Sequence, residues 1–203
     1  MEEKSVGGRK FLLLNWSDVE KGVDTVAERV SGDAYEVDTI VGILRGGVIV
    51  ADLLSDILDI PEVYVVGCRS YKGTEAGELK IYHDLMLTGL QGRSVLLVDD
   101  IADTGSTLDA AAEKLLKPRN PKKIRTATLL KKPWSSHTPH YYAISTDAWV
   151  IFPWERVETI KTVGKFFVEN MGFEEAVEAL SSLSRLSRKK VQSIIMMSPQ
   201  RTY

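Results

Sequence analysis

Asp99 and Asp100 stand side by side at the end of an apolar run, Asp103 follows, and Thr104-Gly105-Ser106-Thr107 comes directly after it. These residue types divide into two kinds of chemistry. A hydroxyl-rich loop of small residues that opens a helix presents free backbone N–H groups and a positive dipole end. That favours an anion, and phosphate is the natural occupant. Gly105 lets the backbone come close to such a group. Asp99 and Asp100 cannot serve a phosphate, because like charges repel. They are suited to accept hydrogen bonds from hydroxyls, or to ligate a hard cation such as Mg2+ through oxygen. A ribose offers two hydroxyls, so a phosphorylated ribose fits both halves of the loop. Asp103 lies between the halves and could take or give a proton. No G-x-x-x-x-G-K-[ST] segment occurs, which disfavours an ordinary nucleotide triphosphatase.

The elements that must position these residues can be read from the apolar pattern. Ser17 and Glu20 have capping-box spacing, and Val19, Val23, Val26, Ala27 and Val30 give the stripe of an amphipathic helix ended by Ser31-Gly32. The run over 39–44 predicts a buried strand, followed by Arg45-Gly46-Gly47 and a helical pattern through Ile49, Leu53, Leu54, Ile57 and Leu58. Further strands are predicted over 62–70, 94–98, 123–130 and 148–152. The polar stretch 71–80 predicts a mobile loop. A helix through Leu108, Ala111, Ala112, Leu115 and Leu116 is closed by Pro118 and Pro121. Strands alternating with helices predict an α/β fold, a mostly parallel central sheet with helices on both faces. In such sheets ligands sit beyond the carboxyl ends of the strands. The turns at Arg45–Gly47 and Asp103–Thr107 should therefore converge on one site. From Arg156 the pattern is helical only, with three helices expected over 156 to about 170, 173 to about 182 and 187 to about 197.

The chain has 203 residues and a formal net charge of -2, so no global field draws it to nucleic acid or to an acidic membrane. Cys68 is the single cysteine, which excludes an intrachain disulfide and fits a reducing compartment. No apolar run has membrane-spanning length, and the polar residues 1–10 lack a secretory pattern, so a cytoplasmic protein is expected. His83, His137 and His140 lack the spacing of a metal set and read as loop or surface residues. Arg185, Arg188, Lys189, Lys190 and Arg201 form a basic end with no acidic residue among them.

The segment VLLVDDIADTGST resembles the phosphoribosyl-pyrophosphate (PRPP) loop of type I phosphoribosyltransferases. The resemblance implies that Asp103, Thr104, Gly105, Ser106 and Thr107 cradle the 5′-phosphate, and that Asp99 and Asp100 bind the ribose hydroxyls and help hold Mg2+. Leu44-Arg45-Gly46-Gly47 matches the family's pyrophosphate loop, which implies pyrophosphate contacts from Arg45 and Gly46. Residues 69–80 resemble the hood loop that closes over PRPP in hypoxanthine-guanine members, with Ser70-Tyr71 the recognisable pair.

TLLKKPW, residues 128–134, carries a lysine where 6-oxopurine members contact O6 of the base, and register favours Lys132 over Lys131. An ammonium only donates, so it suits a carbonyl rather than the amine of adenine. DAWVIFPWE, residues 147–155, is similar to the W-[IV]-x-x-P-W-[DE] segment of xanthine-guanine members. By that likeness Trp149 stacks on the purine and Val150 offers its backbone carbonyl, while Trp154 is read as core. Glu155 stands where an aspartate is often found near Mg2+ and pyrophosphate, and with Asp100 makes the implied metal side. The helices after Arg156 look like those of longer archaeal-type purine members. The resemblance thus implies a purine phosphoribosyltransferase, a glycosyltransferase of purine salvage that uses Mg2+, PRPP and a 6-oxopurine and forms a homodimer or homotetramer. Residues 1–155 would be the transferase domain, and 156–203 a helical extension packed on it. Asp103 would handle the proton at N7. The competing reading is a PRPP-sensing regulator that binds nucleic acid through the basic end. The balanced charge and the purine platform disfavour it.

Overall fold

The structure, a computed structural model, describes residues 1–70, 79–87 and 89–197. In chain order it contains β1 (Glu2–Val6), β2 (Arg9–Leu13), α1 (Trp16–Ser31), β3 (Thr39–Ile43), α2 (Gly46–Leu58), β4 (Val63–Ser70) and β5 (Leu79–His83). Then come β6 (Ser94–Ala102), α3 (Ser106–Ala111), β7 (Lys123–Lys131), β8 (Tyr141–Ser145), β9 (Trp149–Ile151), α4 (Arg156–Met171), α5 (Phe173–Ser184) and α6 (Arg188–Met197). The chain divides into two units. One is Glu20–Thr146, and the other joins Met1–Val19 to the chain from Asp147 onward.

The unit Glu20–Thr146 carries a six-stranded sheet in the order β5-β4-β3-β6-β7-β8. Every neighbouring pair is parallel except β4–β5. All of β3 is buried because both faces of the sheet are covered. Val41, Ile43, Val95 and Leu97 pack with Leu108, Ala111, Leu115 and Leu116 on one face. On the other parity, a Cβ at Gly42 would lie 2.9 Å from Val48 Cα, so α2 runs tightly against β3 there. A Cβ at Gly22 of α1 would lie 3.2 Å from Leu129 Cδ2 of β7. The expected α/β class, a mostly parallel sheet with helices on both faces, is what the chain forms.

Three features of this unit differ from the sequence reading. β6 runs to Ala102 rather than stopping at residue 98, because its pairing with β7 continues through Ala102↔Lys131. Lys80, expected in a loop, belongs to β5, which pairs antiparallel with β4. The helix after the aspartates changes pitch, from α3 to a π turn at Ala112–Leu116 and a 3-10 turn at Lys117–Arg119, where Pro118 sits.

The other unit holds a three-stranded sheet in the order β1-β2-β9. β1 and β2 form a hairpin whose two turn residues, Gly7 and Gly8, have φ of 56° and 73°. Such a turn needs positive φ at both positions, and Gly-Gly supplies it. The strand expected over 148–152 in the central sheet is instead β9, parallel to β2. The last parallel position of the central sheet belongs to β8, whose half-buried YYAIS pattern carries a weak signal. The helix cap also lies elsewhere. Asn15 Oδ1 accepts the Asp18 N–H at 2.9 Å and Asp18 Oδ2 accepts the Asn15 N–H at 2.9 Å, so an Asn-x-x-Asp pair replaces the expected Ser17–Glu20 box.

The three terminal helices appear within about two residues of their expected bounds. Gly172, at φ 84°, separates α4 from α5. Ile160, Val163, Phe167, Val177, Leu180 and Val191 from these helices bury Phe11, Leu13 and Ile151 of the small sheet. Arg185 bonds Glu2 at 2.7 Å, and Arg188 bonds Glu174 at 2.8 Å and also Glu178. The Arg185 bond, with Lys4 next, holds the Glu2 carboxyl below its usual range. The basic end is therefore interlaced with acids that the linear sequence hides. Arg201 lies outside the described residues. Among the described residues no helix is long and apolar enough to cross a membrane.

Candidate active site

The site in the unit Glu20–Thr146 starts from two backbone turns at the carboxyl ends of neighbouring parallel strands. After β3, the Leu44–Arg45 peptide is cis, and α2 begins at Gly46. After β6, Asp103-Thr104-Gly105 leads into α3, with Gly105 at φ 87°. The turns meet. A Cβ at Gly47 would lie 2.5 Å from Val98 O, 2.7 Å from Asp99 Cα and 3.0 Å from Asp99 Oδ1. Only glycine fits, because two of these three atoms are backbone and cannot rotate away.

Asp99 and Asp100 lie in β6 itself, so their side chains leave opposite faces of the strand. Asp100 is buried, at 7% exposure. Asp99 is half-buried, and its Oδ1 accepts the Asp100 N–H at 3.0 Å. Asp99 also acts on Cys68 of β4. Burial first, then the Asp99 charge, pushes the thiol up to about 11, so it stays protonated. Asp99, Asp103, Thr104, Gly105 and Thr107 line one concavity. Its hydroxyls are preset, with Thr104 Oγ1 and Ser106 Oγ 2.8 Å apart. Asp103 and Thr104 are exposed at its lip.

A third segment, between β7 and β8, encloses this loop. The Lys132 N–H donates to Ala102 O at 2.9 Å, extending the β6–β7 ladder by one step. Ser136 N–H and Oγ both donate to Thr104 O, at 3.0 and 2.8 Å. His137 stands between Asp109 of α3, at 2.6 Å from Nδ1, and Thr126 of β7, at 2.9 Å from Nε2. His137 lies in a loop, as its sequence position suggested, but it is half-buried there and acts as a strut. The two lysines part. Lys131 Nζ lies 5.0 Å over the Tyr142 ring, while Lys132 is only 6% exposed and its Nζ lies 5.3 Å over Trp134. The Trp134 indole N–H donates to Asp103 Oδ1 at 3.3 Å.

The residues read as the purine platform lie in the other unit. Trp149 and Val150 are in β9, opposite Phe11 and Leu12 of β2. Trp149 is 38% exposed, and Val150 is 8% exposed. Trp154 stacks on Phe152 at 4.7 Å and tilts against Trp16 at 5.6 Å, a packing role as expected. Glu155 heads α4, its carbonyl accepting the Thr159 N–H at 2.8 Å. Arg45 is exposed at the mouth of its turn. Ser70 ends β4, and Tyr71 lies outside the described residues.

Residues 13–157 match the phosphoribosyl transferase domain family. The chain belongs to that family. A xanthine-guanine phosphoribosyltransferase from Cereibacter sphaeroides is 30% identical over 153 residues, spanning 72% of this chain and 87% of the relative. A hypoxanthine-guanine phosphoribosyltransferase from Mycobacterium tuberculosis is 28% identical over 141 residues, 64% of this chain and 69% of the relative. The crystal structure of a purine phosphoribosyltransferase from Pyrococcus horikoshii shares 36% identity and a TM-score of 0.64, covering 71% of this chain and 93% of that one. The family match ends at residue 157, where α4 begins. As a phosphoribosyltransferase the protein is a glycosyltransferase.

The acids of the site suit a metal that arrives with substrate. Among the described residues, no three His, Cys, Asp or Glu side chains gather as a metal cage. Mg2+ in phosphate-binding enzymes takes one or two carboxylates and completes its shell with phosphates and water. Asp99 or Asp100 can supply one such carboxylate.

Sequence reasoning passed over Gly47, Trp134, Ser136 and His137 as site residues. A signal was present, since KPWSSH directly follows the lysine at the carboxyl end of a strand, where loops carry ligands. The Gly47 contact yields a direct test. Gly47→Ala must push α2 off β6, and a displacement near 1 Å at a reacting site costs on the order of 10²-fold in kcat/KM. Steady-state kinetics with PRPP should show that loss, and a variant with unchanged kcat/KM would refute the close approach.

Proposed function

We propose that this phosphoribosyltransferase moves ribose-5-phosphate from PRPP to N9 of a 6-oxopurine (guanine, xanthine or hypoxanthine), releasing the nucleoside monophosphate and pyrophosphate in purine salvage. The observation that carries the reading is the meeting of Gly47 with Asp99. It sets the turn suited to pyrophosphate directly against Asp99, the first of the two acids suited to ribose hydroxyls. The purine relatives support the choice of base.

In this mechanism Asp103, Thr104, Gly105, Ser106 and Thr107 hold the 5′-phosphate through backbone N–H groups and hydroxyls. Asp99 and Asp100 accept from the ribose hydroxyls. Arg45 and Gly46 meet the pyrophosphate. The bond from C1′ to the pyrophosphate oxygen breaks with its electron pair going to oxygen, through an oxocarbenium-like state, and the bond from C1′ to N9 forms. Asp103 takes the proton that the purine gives up at N7. Lys132 donates to O6, Trp149 stacks on the ring, and the Val150 carbonyl faces the 2-position. Asp100 and Glu155 would hold Mg2+, which when bound would neutralise charge on the pyrophosphate. The segment containing Ser70 and Tyr71 closes over PRPP and excludes water.

We further infer that residues 1–155 are the transferase portion and 156–203 an extension packed on it. The burial of Phe11, Leu13 and Ile151 beneath α4–α6 supports the packing. A cytoplasmic homodimer or homotetramer completes the reading. A nucleic-acid-binding regulator is disfavoured, because Arg185 and Arg188 already bond Glu2, Glu174 and Glu178.

Two substitutions test the roles. Asp103→Asn should lower kcat by roughly 10²–10⁴-fold while PRPP affinity, read by titration, changes little. Equal loss of both would remove Asp103 from proton transfer. Lys132→Ala should weaken kcat/KM for 6-oxopurines by roughly ten- to a hundredfold, the loss of a charged hydrogen bond, with PRPP binding kept. The same loss in Lys131→Ala instead would transfer the role to that residue.

A further inference from the structure

We infer that Trp134 is a positioning residue that fixes the Asp103 carboxylate and caps the Lys132 ammonium, joining proton transfer and base recognition through one indole. The inference rests on the roles proposed above for Asp103 and Lys132. Trp134 is 58% exposed, so core packing does not explain a tryptophan there. Its polar edge and its π face are both engaged. The Nε1–H donates to Asp103 Oδ1 at 3.3 Å, and the ring face receives Lys132 Nζ 5.3 Å from its centroid.

The backbone beneath the indole is fixed on both sides. The Lys132 N–H bonds Ala102 O at 2.9 Å, and the Ser135 N–H closes a turn onto Lys132 O at 3.1 Å. Ser136 bonds Thr104 O twice, at 3.0 and 2.8 Å. A Cβ at Gly105 would lie 2.6 Å from both the N and the Cβ of His137, so the phosphate loop and this segment are packed directly together. Trp134 therefore starts from a rigid base and reaches across to the next loop.

An indole N–H can donate but not accept. It holds one carboxylate oxygen of Asp103 and directs the purine proton to the other. It also biases the side chain toward one rotamer before substrate arrives, which is the condition for efficient proton transfer. The ring over Lys132 restricts the ammonium to the direction of the base carbonyl.

Two variants separate the two contacts. Trp134→Phe keeps a ring over Lys132 and removes the N–H, so kcat should fall about tenfold, the scale of one hydrogen bond to a charged group, with purine KM and PRPP affinity within about twofold of the parent. Trp134→Leu removes both contacts, so purine KM should rise as well. Asp103→Asn, measured alongside, distinguishes the layers. If Asp103→Asn lowers kcat and Trp134→Phe leaves it unchanged, the positioning role is overturned while the proton-transfer reading stands. If Asp103→Asn leaves kcat unchanged, both fall. A Trp134→Phe loss that appears in PRPP affinity rather than in kcat would mark a merely structural tryptophan and also overturn the inference.

Discussion

Gly47 touches the end of β6 at a point where any side chain would collide with the Val98 carbonyl and the Asp99 backbone. The rest of the site depends on that approach. β3 and β6 are hydrogen-bonded parallel neighbours, so their carboxyl ends lie side by side, but parallel pairing alone does not make the loops after them touch. The α2 helix must first settle against the sheet, and small residues allow it: Gly42 faces Val48 and Ala51 at contact distance, and Gly47 faces Asp99. Two recognition surfaces then share one wall. A substrate with a phosphate at one end and a pyrophosphate at the other can engage both without either loop moving far.

The second layer is polar. The segment after β7 adds no new strand to the site but ties the phosphate loop down, through Ser136 to Thr104 and through His137 to Asp109 and Thr126. These bonds restrain groups that the chemistry needs to be still. An exposed loop of small residues has little apolar burial to order it, so hydrogen bonds from a neighbouring loop perform that work. Burial in the strands supplies the complementary control, keeping Asp100 and Lys132 largely out of solvent, where charge interactions are stronger.

Much of this was legible in the chain itself. The runs over β3, β6 and β7 announced a buried parallel sheet because both their faces are covered, which leaves apolar residues on both faces of each strand. The acids and the small-residue loop pointed to the phosphoribosyl transferase family, which the chain matches over residues 13–157. The errors have physical causes. β1, β2 and β8 are short and half-exposed, so their composition reads as polar chain, and only Gly7-Gly8 betrayed the hairpin. β9 has the sequence of a central strand, yet its partner β2 lies far away in the chain, and pairing of that kind leaves no local mark. The cap at Asn15 and Asp18 lies two residues before the expected Ser17–Glu20 box. Trp134 and His137 carried only the positional signal of KPWSSH, because their partners, Asp103 and Asp109, are about thirty positions upstream.

The central claim is that this site joins PRPP to a 6-oxopurine. The most direct measurement incubates the protein with PRPP and Mg2+ and offers guanine, xanthine, hypoxanthine and adenine separately, with the nucleoside monophosphate and pyrophosphate quantified for each. The account predicts product from at least one 6-oxopurine and none from adenine, because Lys132 offers only donors to the 6-position. Product from adenine alone, or PRPP bound tightly with no transfer to any base, would contradict it.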